Sequence, residues 1–197
     1  MTALSPFSYR RLISLRMAVL SLAVAVFLSI TASSARAADQ TIAVADGRFS
    51  LEAPADWKRV QPRVRIVEAE FAIPASEGDD NDGRLTVMGA GGSIEQNIDR
   101  WIGQFTQADG GSTKERTKTE KKSIAGCEVH LVDIAGTFSD RRGPFAPAVE
   151  RPDYRMLAAI VETGKFGNYF VKFYGPVKTV SDNEKAFEEM IAHLKKN

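Results

Sequence analysis

A chain of 197 residues with 26 basic against 25 acidic side chains carries no charge excess for holding a polyanion, which excludes a nucleic-acid binder built on a basic stripe. Its one cysteine, Cys127, excludes an intramolecular disulfide. The length allows one domain with a real core.

The first 37 residues read as a targeting segment. Arg10, Arg11 and Arg16 form a positive region without an acid, Met17 to Ile30 is uninterrupted apolar and small residues, and Ala35-Arg36-Ala37 suits a signal peptidase. The expectation is cleavage after Ala37, a single domain over 38–197, and a periplasmic or secreted location. The apolar run is shorter than the roughly 20 residues of a spanning helix, so retention as an uncleaved anchor is the alternative and no membrane span remains after cleavage. No cysteine stands behind the run to accept a lipid. Tyr9 occupies the place where a twin-arginine signal wants Ser or Thr, which favours the general secretory route. Without residues 1–37 the chain holds 22 basic and 25 acidic residues, a net charge of about −3 that again speaks against nucleic acid.

Thr41 to Val44 and Arg48 to Ala53 read as strands about the turn pair Asp46-Gly47, ended by Pro54-Ala55-Asp56-Trp57, with Trp57 as a plug over one end of the core. Val64 to Ile73 alternates, and the face with Arg65, Val67, Ala69, Phe71 and Ile73 is the one to bury. The acidic loop Ala75 to Gly83 fails the calcium-loop pattern: with Gly83 as the invariant glycine, Gly78 and Gly89 fall where Asp and Glu are required. It reads as a solvated turn. Arg84 to Ala90 is a strand entering Gly91-Gly92. That turn resembles a phosphate loop, but neither the dinucleotide fingerprint nor the Walker pattern is present, so no cofactor is expected.

The glycine turn feeds an amphipathic helix over 94–105. Ile94, Ile98, Trp101, Ile102 and Phe105 share one face, and Ser93 with Gln96 forms a capping box. Lys114 to Lys122 has no apolar face and reads as an exposed edge strand or a solvated ribbon. Ser123 to Phe138 turns at Ala125-Gly126 and continues as a longer strand containing Cys127, which reads as a buried small hydrophobe. Tyr154 to Glu162 and Asn168 to Tyr174 form a hairpin. A last helix, Ser181 to Lys195, carries Phe187, Met190, Ile191 and Leu194 on one face and a second capping box, Ser181 with Glu184. This order predicts an α+β fold, an antiparallel β-sheet with helices packed on it.

The entry segment Phe49-Ser50-Leu51-Glu52-Ala53-Pro54-Ala55-Asp56-Trp57, the central helix, and the terminal Tyr169-Phe170-Val171-Lys172-Phe173-Tyr174-Gly175-Pro176 with its Phe-centred helix resemble the PsbP-like α/β/α sandwich superfamily. The resemblance covers nearly all of residues 38–197 in element order and rests on structural residues. It implies an accessory or binding module and brings no catalytic motif.

The residues themselves supply none either. His130 lies in a strand and His193 near the end of the last helix, where structural or surface roles suit both. No Gly-x-Ser-x-Gly elbow occurs, no His or Cys cluster has metal-ligand spacing, and Glu188 and Glu189 point apart on a helix. One segment exceeds what a strand connection needs: Ser139 to Asp153, read as a long loop with three prolines. Within it Arg141, Arg142 and Arg151 can meet carboxylates or phosphates of a protein partner in the envelope, with Phe145 as an apolar anchor. The functional expectation is an exported, non-catalytic binding or accessory domain of the cell envelope. The alternatives are a hydrolase-type enzyme with an unrecognised site and a structural subunit of an envelope assembly.

Overall fold

The computed structural model describes residues 40–62, 64–141 and 146–197. The proposed leader therefore lies outside the described residues. No described helix is long and apolar enough to cross a membrane.

Among the described residues the strands and α-helices follow in chain order as β1 (Thr41–Val44), β2 (Phe49–Glu52), β3 (Lys58–Val60), β4 (Ala69–Ile73), β5 (Gly83–Ala90), α1 (Ile94–Ile102), β6 (Phe105–Thr106), α2 (Thr113–Arg116), β7 (Lys118–Ile124), β8 (Cys127–Arg141), β9 (Ala148–Glu162), β10 (Asn168–Pro176), α3 (Val177–Asp182), α4 (Glu184–Ala192) and β11 (Lys195–Lys196). A large antiparallel sheet runs β3-β4-β5-β10-β9-β8-β6, with β7 also paired to β8; β1, β2 and β11 form a second, three-stranded sheet. The fold class is thus α+β with antiparallel sheets, as the alternation of strand and helix patterns predicts.

Because strand side chains alternate, the large sheet has two faces with separate cores. On one, Leu85, Val87, Leu157, Ala159, Val161, Val171 and Phe173 pack with the small sheet and with Phe187, Met190 and Ile191 of α4. Trp57 is buried in this core as the expected plug, its ring 5.5 Å from Phe173 and its Nε1 donating to Asn183 Oδ1 at 3.1 Å. On the other face, Val132, Ile134, Phe138, Met156, Ala158, Ile160 and Phe170 pack beneath Trp101 and Phe105.

Helix α1 starts where the capping pattern puts it, with Ser93 Oγ accepting from the Gln96 amide at 3.2 Å. It ends at Ile102, and Phe105 belongs to β6. Asn97, a polar residue on the inward side, is buried because its Nδ2 donates to the carbonyls of Gly91 and Ser93, tying the glycine turn to the helix.

Besides the end of α1, the structure corrects four larger expectations. Val64 to Glu68 is not strand; Val64 and Ile66 are exposed, and pairing begins at Ala69. The acidic turn is not merely solvated: Asp79 accepts from the Thr179 amide and hydroxyl at the start of α3, and Asp82 from the Ala75 amide. The terminal helix is two helices broken at Asn183, since Ser181 and Glu184 both take Arg155 as partner in place of a capping box.

The fourth correction concerns the presumed loop 139–153. Its described residues extend the β8–β9 ladder, with Ser139 opposite Glu150, Asp140 opposite Val149 and Arg141 opposite Ala148. Polar side chains without apolar alternation hide such an arm from periodicity, because its ladder needs only backbone groups.

Candidate functional site: a cationic cleft around Lys172

The face that carries α1 also bears a cleft of about 530 Å³, within the range of small-molecule sites. Its lining includes Arg84 of β5, Gln104 after α1, Asp140 and Arg141 of β8, Arg151 and Tyr154 of β9, and Lys172 and Tyr174 of β10. Four cations line it against two carboxylates, Asp82 and Asp140.

The hairpin arm shapes one wall through an irregularity. Gly136 opposes Tyr154 and Phe138 opposes Arg151, so β9 spends one residue more than β8 over this interval. Asp153, in the left-handed region at φ 54°, absorbs the extra residue. Residues three apart would ordinarily face opposite sides of a strand, but the bulge turns Arg151 and Tyr154 into the same cleft. Phe138 stacks on Tyr154 at 6.1 Å and lies 5.2 Å from the Tyr174 ring, giving an aromatic floor.

Arg84 is fully committed. Its Nε and Nη2 grip the buried Glu70 at 2.8 and 3.0 Å, and its Nη1 donates to the Tyr174 hydroxyl at 2.5 Å. Burial pushes the Tyr174 phenol up despite Arg84, so it stays protonated and keeps its own O–H to donate. Arg151 is looser: Nη2 meets Asp140 at 3.5 Å, and its buried Nε has no partner among the described residues, as is also true of Gln104 Oε1.

Lys172 differs from the other cations. It sits on the central strand of the large sheet, opposite Thr86 and Ala158, and no carboxylate is among the groups that act on it. Its ammonium lies 5.4 Å from the Trp101 ring centre and 5.8 Å from that of Tyr174. Burial, with Arg100 and Arg84 adding repulsion, pushes its pKa down to about 8. The folded state therefore binds fewer protons than the unfolded chain between about 8 and the ordinary 10.5, and stability rises with pH across that window. Below it the charged ammonium is a standing cost. Lys172→Met is expected to raise stability at pH 7 by about 1–3 kcal/mol and to flatten that rise, which denaturant melts at pH 7 and 10 would read.

Of the residues singled out in the sequence, Arg141 and Arg151 come together in this cleft, Arg141 exposed at its mouth and Arg151 half-buried in its wall. Arg142 and Phe145 lie outside the described residues. Sequence reasoning missed Lys172, Tyr174, Arg84 and Tyr154. The one signal was Lys172 itself, a lysine among aromatic and β-branched residues in a strand that is otherwise core.

The other singled-out positions lie outside this cleft. Cys127 is buried, and burial pushes its thiol up, away from reactivity. His193 ends α4. His130 does not stand alone, for its Nε2 lies 2.6 Å from Glu162 Oε1 and 3.3 Å from Glu128 Oε1.

No protein-family model matches the sequence, and no curated protein matches it either. Among solved structures the chain is similar to cyanobacterial PsbP (CyanoP) from Synechocystis sp. PCC 6803, with TM-score 0.49 and 8% identity over 80% of this chain and 92% of that one. It is also similar to LpqN, involved in cell envelope biogenesis of Mycobacterium tuberculosis, with TM-score 0.46 and 7% identity over 75% of this chain and 82% of that one. A third is PA94, a protein of unknown function from Pseudomonas aeruginosa, with TM-score 0.42 and 14% identity over 73% of this chain and 88% of that one. At such identities the likeness is one of chain path, and no site residue carries over from it.

Proposed function

We propose that the protein is an exported, non-catalytic binding domain of the cell envelope that takes a small ligand bearing a carboxylate or phosphate group in the cleft around Lys172. One observation carries the reading: a cation on which no carboxylate acts, held at a stability cost in a concave site where four cations outnumber the two carboxylates, Asp82 and Asp140, beside aromatic rings. An anion supplies the missing counter-charge, the Tyr174 hydroxyl and Arg151 Nε supply directed donors, and the aromatic floor covers an apolar part. Among the described residues no serine, cysteine or histidine lines the cleft, so no Ser–His or Cys–His pair is seen there. Export rests on the order of charged, apolar and small residues in the first 37 positions, and N-terminal sequencing of the native protein should begin at Ala38.

The test is a titration of residues 38–197 with inorganic phosphate and with small aliphatic and aromatic carboxylates, read by Trp101 fluorescence in a Trp57→Phe background. At least one class should give a saturable change, with affinity about tenfold or more weaker in Lys172→Met. Because the ammonium is charged below about 8, affinity should hold at lower pH and fall as pH rises through that value. Absence of any saturable change, or equal affinity in Lys172→Met, would sink the reading.

The lowered Lys172 pKa favours one second reading, an enzyme in which the neutral amine attacks a carbonyl. Borohydride reduction in the presence of a small α-keto acid, followed by peptide mass mapping, distinguishes it: adduct mass on Lys172 supports amine chemistry, and unmodified Lys172 leaves binding alone.

A further inference from the structure

We propose that Glu128, His130 and Glu162 form a binding site for a divalent transition-metal ion of the zinc class, at the end of the β8–β9 ladder where β9 finishes. This site is independent of the ligand reading for the cleft.

The three ligands are placed by backbone register. Glu128 and Glu162 are directly opposed across the β8–β9 pair, and His130, two residues along β8, points to the same face. One ligand atom from each lies within 4.8 Å of the others. In a tetrahedral site with bond lengths near 2.1 Å, ligand atoms stand about 3.4 Å apart. The His130 Nε2 to Glu128 Oε1 separation is 3.3 Å already. Glu162 Oε1, at 2.6 Å from Nε2, must swing outward by less than about 1 Å, a movement open to a half-exposed carboxylate.

Charge asks for a cation here as well. Two glutamates directly opposed on a sheet repel each other, and such pairs are normally avoided. Lys121 of β7 answers one of them at 2.6 Å from Glu128 Oε1, and Glu95 in the first turn of α1 acts on Lys121 too. Glu128, Glu162 and Glu95 thus all act on the single ammonium of Lys121. His130 is only 13% exposed, whereas Glu128 and Glu162 reach solvent, so an ion can enter and water can complete its coordination.

The donor set chooses the metal class. One imidazole nitrogen with two carboxylate oxygens suits zinc, copper or nickel, while magnesium and calcium prefer oxygen alone and more ligands than three. Lys121 is the internal competitor, since its ammonium holds the Glu128 oxygen a metal would take.

The test uses residues 38–197, stripped with a chelator and titrated calorimetrically with zinc chloride and, separately, with calcium and magnesium chloride. Zinc should bind one to one with a dissociation constant of about 10 μM or tighter, and the other two at least 100-fold more weakly, by roughly the preference of imidazole for the softer ion. His130→Gln and Glu162→Gln should each weaken zinc roughly 100-fold, and Lys121→Ala should tighten it several-fold. His193→Gln and Cys127→Ala, which alter the other potential zinc ligands, should change nothing. Melting curves establish that each variant is folded, and Glu162→Gln carries the test if His130→Gln is not. Zinc binding that persists in the folded variants, that depends on His193 or Cys127, that is absent from the parent chain, or that calcium matches would overturn the site.

Discussion

Trp101→Ala is expected to remove about 3–5 kcal/mol of stability, the range for truncating a large aromatic in a packed core. Trp101 is the one residue of α1 that reaches full burial with a large apolar side chain, and its ring meets Phe170 edge-on at 5.1 Å. Ile94, Ile98 and Ile102 flank it but are only partly buried. The helix is therefore held to the sheet chiefly by one side chain, whose loss leaves a cavity over β10 that three half-covered isoleucines cannot fill. The same ring lies against the Lys172 ammonium, so the cavity would open toward the cleft and admit water to it. Urea unfolding should show the loss. Arg100→Ala should cost about 1 kcal/mol or less, since Arg100 is exposed and gives up only its bond to Asn97 Oδ1. Equal effects from the two substitutions would contradict this account of α1.

Arg155→Ala is expected to cost about 2–4 kcal/mol, because it leaves Glu184 without its cation and Asp133 with only the exposed Lys118 at 3.8 Å. Arg155 grips Asp133 of β8 with Nε and Nη2 at 2.9 and 3.0 Å, and Glu184 of α4 with Nη1 and Nη2 at 2.8 and 2.7 Å. Nη1 also donates to Ser181 of α3 at 3.0 Å. One side chain thus pins both terminal helices to the sheet, and its planar fork is what lets it serve two carboxylates at once. It is 12% exposed, so little solvent screens the pairs, although Glu184 at 39% can recover part of its hydration. Arg155→Lys should recover less than half of the loss, since an ammonium cannot make both forked contacts. A double-mutant cycle with Glu184→Ala in urea should return a coupling of about 1–2 kcal/mol; a value near zero would show that the helices are held by their apolar face alone.

What the sequence determined by itself is local or periodic. The hairpin at Asp46-Gly47, the cap at Ser93, the burial of Trp57 and Trp101, the exposed lysine-rich edge strand from Lys118 onward, though Lys114 to Arg116 is helix, and the α+β class all follow from side-chain periods and turn chemistry acting over a few residues. The terminal helix shows where that reasoning stops. Ser181 and Glu184 have capping-box spacing, but Arg155, 26 and 29 residues earlier, outcompetes a local bond with a paired charge.

Both candidate sites lay beyond that reach. Glu162 is 32 residues from His130, and only the β8–β9 register makes them neighbours. Lys172 looks like any lysine in a strand until pairing places it mid-sheet, its ammonium by the Trp101 ring and with no carboxylate acting on it. Arg151 faces the cleft because of the extra residue at Asp153, a bulge that no side-chain pattern announces. Tertiary structure decided these, because ligand geometry and pKa depend on distances through space, whereas periodicity records only which face of its own element a residue occupies.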